Sequence, residues 1–207
     1  MNLHVIRHGQ TEENRQHRYL GSLDPQLNAT GRAQADEAAT GLPPRIDLII
    51  SSPLLRARET AQIIGARLGI NVAIAAHFRE RNVGVFEGLT QAEARHRYPE
   101  LWARNITRQW NAAPRGGETI SEVVTRVRTG LLQLALACPD REVLLVAHGF
   151  VAKVIRALVQ SSFADFFAWQ LDNGQLLSLN FDSGVLNLDA RAGTNALPGI
   201  SPTRTST

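Results

Sequence analysis

Three short apolar runs punctuate the chain: Leu3 to Ile6, Asp47 to Ile50 (DLII) and Val143 to Val146 (VLLV). Runs of this length, bounded by polar or glycine residues, predict buried strands. Each leads into a segment of helical character. The first predicted helix begins near Asn28 to Thr30 and carries RAQADEAATGL toward Pro43-Pro44. The second runs from about Leu54 through ARETAQIIGARL to Gly69. Segments 90–111 and 119–137 also read as helical. The latter opens with Glu118, Thr119 and Glu122, whose negative charge suits the positive end of a helix dipole. A further helix is predicted over 149–160. Near the end, LLSLNF and VLNLDA flank Asp182-Ser183-Gly184, a hairpin pattern.

Strands alternating with helices predict an α/β fold: a three-layer α/β/α sandwich with a mostly parallel sheet, to which the hairpin adds an antiparallel edge. There is no internal repeat and no interior linker, so residues 1–190 read as one catalytic domain. Residues 191–207 lose apolar periodicity, gain Gly, Pro, Ser and Thr, and read as a flexible extension.

Composition narrows the class. A chain of 207 residues that is 43% hydrophobic can bury one large core without covalent staples. The single cysteine, Cys138, excludes an intramolecular disulfide framework and, within LLQLALACP, reads as a small buried hydrophobe. No stretch approaches the roughly 18 apolar residues of a membrane span, and the start, MNLHVIRHGQ, lacks a leader-like apolar core. A cytoplasmic protein with no membrane partner is the expectation. The formal charge is +3, and Lys153 is the only lysine among 22 Lys and Arg residues. The arginines are scattered among acidic residues with few aromatics between, which argues against a nucleic-acid-binding stripe. A homodimer is left open.

The candidate chemistry lies at strand ends. LHVI runs into Arg7-His8-Gly9, and VLLVA into His148-Gly149. In an open parallel sheet, ligands collect beyond the carboxyl ends of the strands, and a glycine after each histidine allows close approach of a ligand. DLII leads into SSPLLRARETA, which brings Arg56 and Arg58 to the same edge. Guanidiniums there can hold an anion bidentately. Phosphoryl transfer needs such neutralisation, an in-line nucleophile and an acid for the leaving oxygen. A neutral imidazole whose other nitrogen is held as a donor is a competent nucleophile. No metal-ligand spacing is present, and no metal or other cofactor is expected.

Arg7-His8-Gly9-Gln10-Thr11-Glu12-Glu13-Asn14 resembles the RHGxTxxN signature of the histidine phosphatase superfamily, the phosphoglycerate-mutase-like enzymes. Residues 21–35, SSPLLRARETA (51–61), RERNVGVFEG (79–88), PRGGET (114–119) and VLLVAHGF (143–150) resemble its later motifs in order, over roughly residues 1–185. The resemblance implies His8 as the phosphorylated nucleophile, Glu80 as proton donor, and phosphate held by Arg7, Asn14, Arg56 and His148, which also stabilises developing charge. It further implies substrate contacts from Gln10, Thr11, Gly21 and Arg81, and a small phosphorylated metabolite as substrate. Gln10 replaces a glutamate common in the signature. Val83 stands where the mutases carry a tyrosine, and the stretch from Glu80 to His148 is short for a mutase. These departures favour hydrolysis of small phosphomonoesters over phosphoglycerate mutase activity.

Other residues read as structural. His4 alternates with its strand, His17, His77 and His96 read as loop or solvated residues, and Arg58 reads as a helix-surface partner of a neighbouring carboxylate. Glu87 competes with Glu80 as the acid, but its place in FEG suits a turn contact. The rival functions are a mutase, a catalytically silent phosphate-binding module, and a nucleic-acid binder suggested only by the basic balance.

Overall fold

The computed structural model describes residues 1–181. In chain order the elements are β1 (Asn2–Arg7), α1 (Glu12–Arg15), α2 (Ala29–Ala38), β2 (Leu48–Ser51), α3 (Leu55–Leu68), β3 (Val72–Ile74), α4 (Gln91–Arg97), α5 (Pro99–Ala103), α6 (Ile120–Ala137), β4 (Glu142–Ala147), α7 (Gly149–Val159) and β5 (Leu176–Asn180). The strands form one sheet in the order β3-β2-β4-β1-β5, parallel except for β5, which runs antiparallel to β1. This is the expected sandwich with its antiparallel edge. The second half of the expected hairpin and the whole segment 191–207 lie outside the described residues.

Strand alternation builds the two apolar layers. Leu3, Val5, Ile50, Val143 and Leu145 pack with α6 and α7 on one face. Ile6, Ile49, Leu144 and Val146 pack with Ala57, Ala61 and Ile64 of α3 on the other. Each fully buried Leu or Ile side chain contributes roughly 1.5–3 kcal/mol, and the central strands β1 and β4 are buried on both sides. That explains why their sequences are continuous apolar runs. Cys138 is fully buried in the α6 and α7 layer, and burial pushes its thiol pKa up. His4 is structural: its ring bridges Ser178 on β5 at 2.8 Å and Glu142 on β4 at 2.7 Å.

Local signals end the helices where expected. Asn28 caps α2 by accepting from the Gly31 N–H at 2.8 Å. Thr119 and Glu122 form a reciprocal capping box on α6, and Gly69, at φ 68°, closes α3 in the left-handed region. The single helix expected over 90–111 is instead two short ones, α4 and α5, followed by a 3-10 turn over Ile106–Arg108. Pro99 disfavours helical geometry at Tyr98, whose φ of −133° and ψ of 59° break the run. The single turn α1 and the three-residue β3 are too short to carry a periodic signal.

Candidate active site

The C-terminal ends of β1 and β4 are adjacent, with Arg7 registered against Ala147, so His8 and His148 emerge side by side. Their ring centroids are 5.1 Å apart at an interplanar angle of 63°. Both are buried. The His8 Nδ1 lies 2.7 Å from the carbonyl oxygen of Gly9. A carbonyl can only accept, so Nδ1 carries the proton and Nε2 the lone pair. Burial first, then the charges of Arg56 and Arg7, hold the His8 pKa well below the ordinary imidazole range. The ring is therefore neutral at neutral pH. His148 is depressed likewise by burial, then by Arg56, and its Nε2 is 2.6 Å from the hydroxyl of Ser52.

Arg56, on the first turn of α3, is fully buried. Its Nε donates to His8 Nε2 at 3.1 Å, and its terminal nitrogens donate to the carbonyls of Leu23 at 2.6 Å and Gly21 at 3.0 Å. One turn on, the Thr60 hydroxyl donates to the Arg56 carbonyl at 2.8 Å and accepts from the Gly9 N–H at 3.0 Å. The i, i+4 spacing of Arg56 and Thr60 thus anchors the loop after β1 to α3. That loop also packs backbone to backbone on α2. A Cβ on Gly9 would fall 2.2 Å from the Gly31 carbonyl oxygen, so only glycine fits there.

Arg7 donates from one terminal nitrogen to the Leu171 carbonyl at 2.9 Å, while its buried Nε has no partner among the described residues. The Asn14 side-chain oxygen accepts from the Thr11 N–H at 3.1 Å and from Asn173 at 3.4 Å. Asn173 also donates to the His8 carbonyl at 2.9 Å, so one side chain holds both ends of the segment from His8 to Asn14. Arg56 thus donates directly to His8 Nε2, beside a second neutral imidazole.

The Glu80 carboxylate is buried against the start of α7, at Phe150, two residues past His148. Its carboxylate accepts from the Arg81 N–H at 2.8 Å and from the Phe150 N–H at 3.2 Å, at the start of α7. Burial raises its pKa, outweighing these hydrogen bonds and the nearby Arg56 and Arg7. Glu87 is differently employed. It accepts from the N–H groups of Gly21, Ser22, Leu23 and Val83 at 2.8–3.3 Å, pinning the loop that bears the Arg56 carbonyl partners. Arg58 is exposed on α3.

The four residues expected at the substrate are committed to protein partners. Thr11 is fully buried and caps α1. The Gln10 side-chain oxygen accepts from Asn28 at 2.9 Å. Gly21 gives its carbonyl to Arg56. Arg81 is buried, donates to the carbonyls of Glu118 at 2.8 Å and Thr107 at 2.7 Å, and lies 5.1 Å from the Phe150 ring centroid. Each thus has at least one protein partner, while the buried Arg81 Nη2 has none among the described residues. Ser52, Thr60 and Asn173 were not singled out from the sequence. Ser52 follows the β2 run on the same sheet edge as the histidines, which is a usable signal; Asn173, in an Asn-Gly turn, carries none. Among the described residues, no group of three or more His, Cys, Asp or Glu side chains could hold a metal ion, and no helix is long and apolar enough to cross a membrane.

A family model described as the histidine phosphatase superfamily (branch 1) matches residues 3–192. A bifunctional protein of Mycobacterium tuberculosis is 35% identical over 186 residues, 89% of this chain and 48% of that protein. The chain spans about half the length of this and similar mycobacterial relatives. Glucosyl-3-phosphoglycerate phosphatase of Mycobacterium tuberculosis is 37% identical over 175 residues, covering 78% of this chain and 77% of that one. The solved structure of the alpha-ribazole phosphatase from Shigella flexneri superimposes with a TM-score of 0.80 at 25% identity, over 88% of this chain and 91% of that one.

Proposed function

This chain belongs to the histidine phosphatase superfamily, and from that premise we propose that it hydrolyses small phosphomonoesters through a phosphohistidine on His8. The observation that carries the reading is the His8 ring: Nδ1 bound to the Gly9 carbonyl, Nε2 presented to Arg56 inside a cationic pocket.

In the first step the Nε2 lone pair attacks phosphorus while Arg7, Arg56, Asn14 and His148 hold the non-bridging oxygens. The N–P bond forms, the ester P–O bond breaks, and Glu80 gives its proton to the leaving oxygen. The raised pKa of Glu80 keeps that proton available. In the second step water attacks phosphorus, Glu80 takes a proton from it, and the N–P bond breaks to release phosphate and neutral His8.

The relatives include phosphatases named for chemically different esters, glucosyl-3-phosphoglycerate and alpha-ribazole phosphate, so the shared machinery reads as generic for the phosphoryl group. Eight of the nineteen arginines among the described residues pair with carboxylates, Arg18–Glu93, Arg67–Asp36 and Arg126–Glu118 among them, which breaks up any basic stripe and supports a small-molecule substrate over nucleic acid. Buried Cys138 suits a reducing, cytoplasmic setting.

The test supplies nitrophenyl phosphate, and separately 3-phosphoglycerate with a trace of 2,3-bisphosphoglycerate. We expect free phosphate from both, an acid-labile phosphoryl label on the wild type, and neither label nor turnover in His8→Ala. Sustained turnover by His8→Ala would overturn the nucleophile. Fast formation of 2-phosphoglycerate with little free phosphate would make the protein a mutase, and no turnover of any ester would leave a silent phosphate-binding module.

A further inference from the structure

The segment 79–83, which carries Glu80, lies in no helix or strand, so its placement depends on what grips it from outside. Helix α6 does so. Gly130 faces the 3-10 turn Ala76–Phe78 that leads into the segment: a Cβ there would fall 2.7 Å from the Cβ of His77 and 2.9 Å from the Phe78 ring. Glycine therefore lets helix and loop close up. Phe78 is fully buried in the same core cluster as Ile120, Val123 and Val127 of α6. Arg126 stands four residues before Gly130, one turn away on the same face of the helix.

A guanidinium offers five N–H groups, and Arg126 makes five hydrogen bonds. Nη1 donates to the carbonyls of His77 at 2.8 Å and Arg79 at 2.7 Å. Nη2 donates to the Glu80 carbonyl at 3.2 Å and to Glu118 at 3.0 Å, and Nε donates to the other Glu118 oxygen at 2.9 Å. Glu118, from the PRGGET segment, also accepts from the Asn82 N–H at 3.0 Å and from the Arg79 side chain at 2.8 Å. The pair thus holds the chain on both sides of Glu80. The two side chains are only 11% and 17% exposed, where charge-assisted bonds are strong and weakly screened by salt.

The carboxylate end of Glu80 is fixed separately, by the N–H groups of Arg81 and Phe150. With its main chain gripped at one end and its carboxylate at the other, the side chain has one place to be. A displacement of about 1 Å at a reacting group can cost a hundredfold in rate. We propose that Arg126, held by Glu118, is a positioning residue for Glu80, fixing the main chain from which the general acid reaches the leaving oxygen. The inference rests on the phosphatase site proposed above and adds the residue on which its acid depends. The donors of Arg126 are all spent on the protein, so it has none for a substrate. Its effect therefore scales with the leaving group's need for a proton.

The test compares kcat/KM for glycerol 3-phosphate, whose alkoxide must be protonated, with that for nitrophenyl phosphate, whose phenolate need not be. This parameter reads the steps up to the phosphoenzyme, before water attacks. Arg126→Lys keeps the charge beside Glu118 but replaces the planar five-donor fork with one nitrogen. It should lose about tenfold or more on glycerol 3-phosphate and stay within about twofold on nitrophenyl phosphate. Gly130→Ala presses on the same loop without removing a charge or a hydrogen bond, and should show the same selective loss at smaller size. Equal losses on both esters, or none, in Arg126→Lys overturn the positioning role; should that variant not fold, Gly130→Ala decides by the same criterion. Glu80→Gln, measured alongside, separates this from the reading it rests on. A selective loss there with none in Arg126→Lys leaves Glu80 as the acid and removes Arg126 alone, whereas a wild type that turns over neither ester removes both.

Discussion

Arg56 and His8 share a hydrogen bond, guanidinium Nε to imidazole Nε2 at 3.1 Å, in a fully buried setting. The guanidinium is held from behind by the carbonyls of Gly21 and Leu23, so its position is set before any ligand arrives. A lysine would keep the charge but offer one point donor in place of a planar fork. Arg56→Lys is therefore expected to lower kcat/KM for nitrophenyl phosphate by about a hundredfold or more, the usual consequence of losing a preorganised oxyanion donor. The buried carbonyls left without a donor should destabilise the fold by about 1–3 kcal/mol. Steady-state kinetics and urea unfolding check both, and a kcat/KM near wild type would remove Arg56 from phosphate binding.

The pH profile follows from opposite shifts on the two reacting groups. His8 must be neutral to attack, and its pKa is depressed by burial and by Arg56. Activity is then lost only as the pH falls well below the ordinary imidazole range. Glu80 must be protonated to serve an alkyl leaving group, and burial raises its pKa. Activity toward alkyl esters is then lost as the pH rises through that raised value. The profile of kcat/KM for alkyl esters should be a bell, with its acid limb well below the ordinary imidazole range and its alkaline limb above the ordinary carboxylate range. Nitrophenolate departs without a proton, so its alkaline limb should be shallower, and Glu80→Gln should suppress alkyl-ester turnover far more than nitrophenyl phosphate turnover. Equal losses for both esters would deny Glu80 the role of acid.

How far these residues were legible depends on how local their causes are. β1 and β4 are buried on both faces, so their sequences are uninterrupted apolar runs, and the glycine after each histidine marked the turn. Arg56 and Thr60 sit one helical turn apart in a recognisable segment. By contrast β3 is a three-residue strand whose Ile74 is exposed, too short and too polar in environment to show a period. The break at Tyr98-Pro99 has a local cause, the proline, which disfavours helical geometry in the residue before it. The supporting contacts are long-range: Ser52, which only its place after the β2 run marks, meets His148 across 96 residues, and Asn173, which carries no local signal, meets His8 across 165. The sheet order brings those pairs together: β4 lies beside β2, which joins His148 to Ser52, and β5 lies beside β1, which joins Asn173 to His8.

The Ser52 contact leads to the last prediction. His148 Nδ1 is buried without a partner among the described residues, so it is the ring atom left to meet a phosphate oxygen. A neutral imidazole can donate from Nδ1 only if Nε2 is an acceptor. The Ser52 hydroxyl, 2.6 Å from Nε2, donates to that nitrogen in the tautomer that carries the proton on Nδ1, and so favours it. The same oxygen accepts from the Leu54 N–H at 3.3 Å, which orients the hydroxyl toward the ring. Ser52 is thus a positioning residue acting through His148. Ser52→Ala should lower kcat by about tenfold, equivalent to one hydrogen bond's worth of transition-state stabilisation, with KM changed much less. Ser52→Thr keeps the hydroxyl and should recover most of the loss, which a purely packing role for this side chain would not reproduce. Wild-type kcat in the alanine variant would show that His148 holds its tautomer without help from Ser52.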